Sequence, residues 1–209
     1  MFRIGLLALL AVLFPALAAR ADDTALAKLG ARLEPLASMQ GNFTQTVTDD
    51  KNRVLQTSEG TMAVKRGNHL RWQTTSPFAY LIVTDGKTLW RYDADLEQAT
   101  RQPFTGELAD APGLILSGDM SRIRATYDVQ WQQGSQGEWF TLVPKAKKAL
   151  FRELKLLFSG DRLEQLDLID SLGQRTEIRF GDVTVNPKLA DSQFQFTPPD
   201  GVDVIVDGH

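Results

Sequence analysis

The chain contains no cysteine, and its two histidines are His69 and the last residue, His209. The first absence excludes thiol nucleophiles, disulfides, Cys-ligated zinc and iron–sulfur clusters. The second leaves only His69 for a Ser-His-Asp arrangement or a histidine-based metal site. Phosphate-binding glycine loops are missing too. Asp85-Gly86-Lys87-Thr88 contains GKT, but Leu81 stands where a P-loop needs glycine, so the stretch reads as a hairpin turn. GxSxG, HExxH and GxGxxG do not occur. Acidic pairs such as Asp93 with Asp95, or Asp167 with Asp170, read as exposed strand-end acids and not as glycosidase carboxylates. The composition argues against most bond chemistry. What remains is an ordinary globular balance: 209 residues, 43% hydrophobic and 23% charged, enough for one domain with a sizeable core.

The amino terminus is the least ordinary part. Arg3 precedes sixteen uncharged residues, Ile4 to Ala19, and Ala19-Arg20-Ala21 then has the small-x-small pattern of a cleavage site. This reads as a secretory signal peptide over residues 1–21, its apolar run short for a membrane span, followed by a single domain over 22–209. Cleavage after Ala21 removes Arg3 and Arg20 and no acid, moving the formal charge from −3 to −5. Such an acidic surface disfavours nucleic acid or an anionic bilayer as main partner. No cysteine follows the cleavage point to carry acyl chains, so the expected product is exported without its own lipid anchor.

Asp22, Asp23 and Thr24 suit a helix start, and Leu26, Leu29, Leu33 and Leu36 recur at helical spacing, predicting one amphipathic helix that Pro35 ends or kinks. From Gln40 onward the texture is that of strands rich in Thr, Val and aromatics with turns about every ten residues. Strands are predicted at Phe43–Thr48, Val54–Val64, Leu70–Thr74, Tyr80–Val83 and Thr88–Tyr92. Five more follow at Tyr127–Gln132, Trp139–Val143, Leu150–Phe158, Arg162–Ile169 and Thr176–Phe180. That order is an antiparallel meander and not a series of βαβ units. Residues 107–118 interrupt it; Leu114, Ile115 and Leu116 beside Pro112 and Gly113 read as a loop plugging the barrel end or a second flap.

Alternation assigns faces. Met62, Val64 and Arg66 share one row, which sends Arg66 inward and obliges it to find hydrogen-bond partners. Leu70, Trp72 and Thr74 form another row, while Trp90 and Tyr92 share a face opposite Arg91 and Asp93. The candidate lining of an apolar pocket is therefore Met62, Val64, Leu70, Trp72, Trp90, Tyr92, Leu114 and Ile115. Core packing would bury the same side chains.

Three segments carry a family resemblance: GNFTQTVTD, the long VKRGNHLRWQTTSPFAYLIVTDGKTLWRYDADLEQAT, and FQFTPPDGV. Together they resemble the LolA family of periplasmic outer-membrane lipoprotein carriers, from the signal peptide to the C-terminal FTPP. The resemblance implies a mainly β (α+β) fold, an incomplete antiparallel barrel of about eleven strands with a helical lid over an apolar cavity. It also implies a function: accepting acylated lipoproteins from an inner-membrane ABC-type complex and passing them to an outer-membrane receptor lipoprotein, as a monomer, without cofactor or metal. Arg66 falls on the family's lid-locking arginine, which hydrogen-bonds lid backbone, and Leu33 on the lid leucine. Leu70 falls on an apolar position implicated in accepting cargo. The sequence departs from the pattern at Gly67, where a relative has proline, and at Pro35, inserted in the lid helix.

Other classes fit less well. An outer-membrane receptor of the same fold needs the missing cysteine, and a stress sensor on the same barrel needs a further domain for which the mature length leaves no room. An enzyme acting on lipid or glycan lacks a signature.

Overall fold

The computed structural model describes residues 16–105, 115–116 and 119–207. It begins with helix α1 (Ala16–Leu33) and six strands: β1 (Ser38–Thr48), β2 (Val54–Lys65), β3 (His69–Ser76), β4 (Tyr80–Asp85), β5 (Thr88–Asp93) and β6 (Gln98–Pro103). After a short helix α2 (Met120–Thr126) come β7 (Tyr127–Gln133), β8 (Glu138–Pro144), β9 (Phe151–Ser159), β10 (Arg162–Asp170) and β11 (Arg175–Val185). A 3-10 turn at Asp191–Phe194 and β12 (Asp203–Val206) complete the chain.

All twelve strands belong to one sheet in the order β12-β6-β5-β4-β3-β2-β1-β11-β10-β9-β8-β7. Eleven pair antiparallel as two meanders, β1–β6 and β7–β11, joined where β1 lies beside β11 in place of one unbroken run, and β12 joins β6 in parallel. The edge strands β7 and β12 do not pair with each other, so the barrel is incomplete. Each of the ten sequence-assigned strands is present. β6 and β12 are additions, and the helix occupies Ala16–Leu33 where residues 22–36 were expected. It stops two residues before Pro35, whose ring cannot continue an α-helix and which biases Glu34 away from helical backbone. No described helix is long and apolar enough to cross a membrane. Residues 1–15, Leu114 and the rest of the 107–118 segment other than Ile115 and Leu116 lie outside the described residues.

The core sits on the sheet face under α1. Leu26, Leu29 and Leu33 of the helix and Leu36 after it are buried against Met39, Phe43, Met62, Val64, Leu70 and Trp72 on one half. Phe140, Leu142, Leu154, Leu156, Phe158 and Ile178 complete it on the other half. Each fully buried leucine contributes roughly 1.5–3 kcal/mol, so the helix is held chiefly by its apolar stripe. At the centre Phe43 and Trp72 stack with ring centroids 4.0 Å apart. Gly60, opposite Phe43 on β2, makes this possible: a Cβ there would lie 2.8 Å from Phe43 Cζ and 2.0 Å from the Gln73 carbonyl.

The helix also runs along edge strand β7. Lys28 Nζ lies 4.0 Å over the Trp131 ring, and Arg32 Nε donates to Glu138 Oε2 at 2.7 Å. Asp119 caps α2 by accepting from Arg122 N at 3.0 Å and Ser121 Oγ at 2.7 Å. These bonds, the backbone one foremost, hold its carboxyl below the ordinary carboxylate value.

Candidate functional site

The site is built where α1 meets β1. A helix leaves its last carbonyls without intrahelical donors, and the helix dipole makes that end negative. Arg66, just past β2, supplies the donors: Nε reaches the Leu36 carbonyl at 2.9 Å, and Nη2 reaches those of Leu33, at 3.4 Å, and Glu34. One guanidinium thus closes three backbone acceptors in the turn that ends α1. The turn is held from the other side by Asn186, whose Oδ1 accepts from Ala37 N at 2.7 Å and whose Nδ2 donates to the Pro35 carbonyl at 3.1 Å.

This geometry corrects the alternation reading of Arg66. Strand β2 ends at Lys65, and Arg66 lies in the following turn as an exposed residue, outside the row of Met62 and Val64. It does find hydrogen-bond partners, but they are backbone oxygens some thirty residues earlier. Gly67 follows with φ +86°, a left-handed conformation that proline cannot adopt, so this chain turns out of the Lys65-Arg66 pair by a different route from a proline-bearing one.

The structure brings Leu33, Met62, Val64, Leu70, Trp72 and Ile115 together as one buried apolar cluster beneath α1. Strand register excludes Trp90 and Tyr92 from it. Met62 pairs with Trp72, Trp72 with Ile82 and Ile82 with Arg91, so those four share the inner face. Trp90 and Tyr92 pair with Val83 and Leu81 on the outer face, where both rings meet Phe196, at centroid distances of 5.5 and 5.3 Å. Alternation placed the two aromatics on a common face correctly; which face became the interior was decided by where the C-terminal segment lies. There Phe194 and Leu189 are buried, and Lys65 Nζ donates to the Leu189 carbonyl and pairs with Asp191. That ion pair holds the Asp191 carboxyl below the ordinary value.

Other expectations resolve simply. Asp85 Oδ1 accepts from Lys87 N at 2.9 Å and Thr88 N at 2.8 Å, so the GKT stretch is a hairpin turn. Asp93 caps the β5–β6 turn, Asp170 caps the β10–β11 turn, and Asp167 binds Gln165 and Arg175. Among the described residues no group of three or more His, Asp or Glu could hold a metal ion. Asn186 had no sequence signal, because its role depends on β11 lying beside β1.

These features define a class: incomplete antiparallel barrels whose apolar interior is covered by a helix. The family described as "Outer membrane lipoprotein carrier protein LolA" matches residues 34–197. An outer-membrane lipoprotein carrier protein of Chromohalobacter salexigens is 38% identical over 202 residues, 97% of this chain and 96% of that one. One from Hahella chejuensis is 42% identical over 179 residues, 85% of this chain and 86% of that one. Among solved structures, an uncharacterized conserved protein from Thermus thermophilus superposes with TM-score 0.55 at 13% identity, covering 87% of this chain and 99% of that one. A LolA superfamily protein from Nitrosomonas europaea gives 0.51 at 14% identity, with 84% and 98% covered. The chain belongs to the outer membrane lipoprotein carrier (LolA) family.

Proposed function

We propose that this protein is a periplasmic chaperone that takes up the acyl chains of lipoproteins leaving the inner membrane and delivers them to an outer-membrane receptor. Its relatives' name, outer-membrane lipoprotein carrier protein, supports the cargo class. The observation that carries the mechanism is the Arg66 guanidinium on the carbonyls of Leu33, Glu34 and Leu36, directly above the buried apolar cluster.

The magnitudes make this arrangement a latch. Burying a methylene contributes about 0.8 kcal/mol, so one sixteen-carbon chain left in water costs on the order of 13 kcal/mol. Hydrogen bonds to a charged group contribute about 1.5–3 kcal/mol, less where water competes. One entering chain is comparable to the three hydrogen bonds and three leucines it displaces, each about 1.5–3 kcal/mol, and the several chains of a triacylated cargo outweigh them, taking the place of Leu26, Leu29 and Leu33 against the sheet. With cargo gone, Arg66 recaptures the turn and the leucines return. The inner-membrane partner is an ABC-type releasing complex whose ATP use loads the carrier, and transfer to the receptor lipoprotein then runs downhill. The carrier acts as a monomer, breaks no bond and uses no cofactor. Residues 1–21 direct export and are cut off in its course; that cut falls within α1 and leaves acidic residues, Asp23 among them, at the new helix start, where the dipole favours them.

Arg66→Leu tests the latch. Loaded with a triacylated lipoprotein and mixed with receptor, the variant is expected to keep its cargo, because the closed form no longer competes for the interior. Release at the wild-type rate would overturn the latch.

A further inference from the structure

The inner face does not remain apolar along its length. Under α1 its rows carry Phe43, Met62 and Trp72, but two residues further toward the β1–β2, β3–β4 and β5–β6 turns the same rows change character. Phe43 is followed on its face by Gln45, and Trp72 by Thr74. Met62 leads through Gly60 to Ser58, and Ile82 back to Tyr80. These side chains, with Asp93 and Asp95, line a cleft of about 850 Å³ to which α1 contributes no residue. Phe78 and Leu96, 65% and 71% exposed, stand at its lip. Each strand thus passes from hydrocarbon to hydrogen-bonding surface, and the register makes the two parts one continuous face.

We infer that this mouth is the subsite for the polypeptide next to the cargo's acylated residue, and that it favours basic over acidic side chains there. The inference rests on the carrier reading: acyl chains in the interior fix the lipidated end, and the chain leaving it must cross a surface of matching polarity. Thr74 and Gln45, both partly exposed, supply donors and acceptors for peptide groups. Asp93 Oδ1 already accepts from Asp95 N and Leu96 N, at 3.1 and 3.0 Å, which fixes the turn and keeps the Asp93 charge at the rim. The Asp95 carboxylate makes no ion pair among the described residues. The cation in the same row, Arg91, lies deeper and donates to Gln102 Oε1 on β6 at 2.8 Å.

The test uses two synthetic triacylated cysteinyl peptides, one continuing Ser-Lys-Lys and the other Ser-Asp-Asp, and a fluorescent fatty acid without peptide. At low salt the lysine peptide is expected to bind about fivefold tighter, the ratio that one charge contact of about 1 kcal/mol at water-like screening produces. High salt should erase the difference. Asp95→Lys, an exposed turn substitution, should abolish or invert the preference, and Thr74→Phe, which blocks the mouth, should weaken both peptides while sparing the fatty acid. Equal affinity of the two peptides in the wild type and both variants would overturn the subsite and leave the carrier reading standing. Failure of the fatty acid and both peptides to bind would overturn the carrier reading and the subsite with it.

Discussion

The two faces of the β2–β5 region each carry an apolar patch, and each patch is covered by a different piece of chain. On the inner face the cover is α1, whose terminal turn is held by Arg66 and Asn186 on backbone oxygens and amides. On the outer face it is the segment from Leu189 to Phe196, tied by Lys65 to Leu189 and Asp191 and by Arg71 to the Gln193 carbonyl at 3.4 Å. The outer cover continues into β12, which hydrogen-bonds to β6 and makes the segment part of the sheet. The inner cover is held by side chains and not by strand pairing: its leucine stripe, Lys28 over Trp131, Arg32 on Glu138, and Arg66 on its last turn. Of two similar apolar faces, one is covered by chain that is part of the sheet, and the other by a helix that makes no strand pairing; under the carrier proposal the second is the face that opens.

The largest effect expected from breaking this contrast is at Phe194, 1% exposed in the outer cover. Phe194→Ala should lower global stability by about 3–5 kcal/mol in urea unfolding, as a large core truncation does. A loss below 1 kcal/mol would show that the outer cover is as detachable as the inner one. Next is Arg66→Leu, which should raise amide exchange in α1 by the equivalent of about 1.5–3 kcal/mol while β1–β5 stay protected. Uniform acceleration across the sheet would mean that the helix and sheet open as one unit. Lys65→Met, which removes an ion pair to an exposed carboxylate, should leave the urea midpoint nearly unchanged, since such pairs contribute little.

The smallest effect separates the two tethers by pH. Asp191 has its carboxyl pKa depressed in the fold by Lys65, so its contribution is present above the ordinary value of 3.8 and is lost as pH falls through the lower folded value. The oxygens that receive Arg66 are carbonyls and do not titrate. Below that value, exchange at residues 189–194, corrected for its intrinsic pH dependence, should therefore rise while the turn at 33–37 is unchanged. Parallel loosening of both would contradict the assignment of their partners.

Much of this architecture was legible because strand alternation and turn residues are local signals. All ten strands marked by them exist, and Pro35 ends the helix as its ring chemistry requires. β6 was illegible because Gln98–Pro103 carries one buried apolar residue, Ala99, and β12 because its four residues are exposed and gain strand geometry only by pairing with β6. Arg66 was misplaced by alternation since the strand ends one residue earlier and its guanidinium turns to the carbonyls that end α1. Trp90 and Tyr92 were misplaced because period two identifies companions on a face and carries no information about which face is interior.

From the sequence alone followed the exclusion of thiol, disulfide and Cys-ligated metal chemistry, since the chain has no cysteine. The meander and the leucine stripe also followed, because both are written in spacing along the chain. The tertiary structure alone decided which face α1 covers, that Arg66 ends on three carbonyls, and that the apolar rows turn polar into one mouth. Those outcomes depend on groups that meet through register and chain path, with partners as much as 151 residues apart, and no local pattern encodes such a meeting.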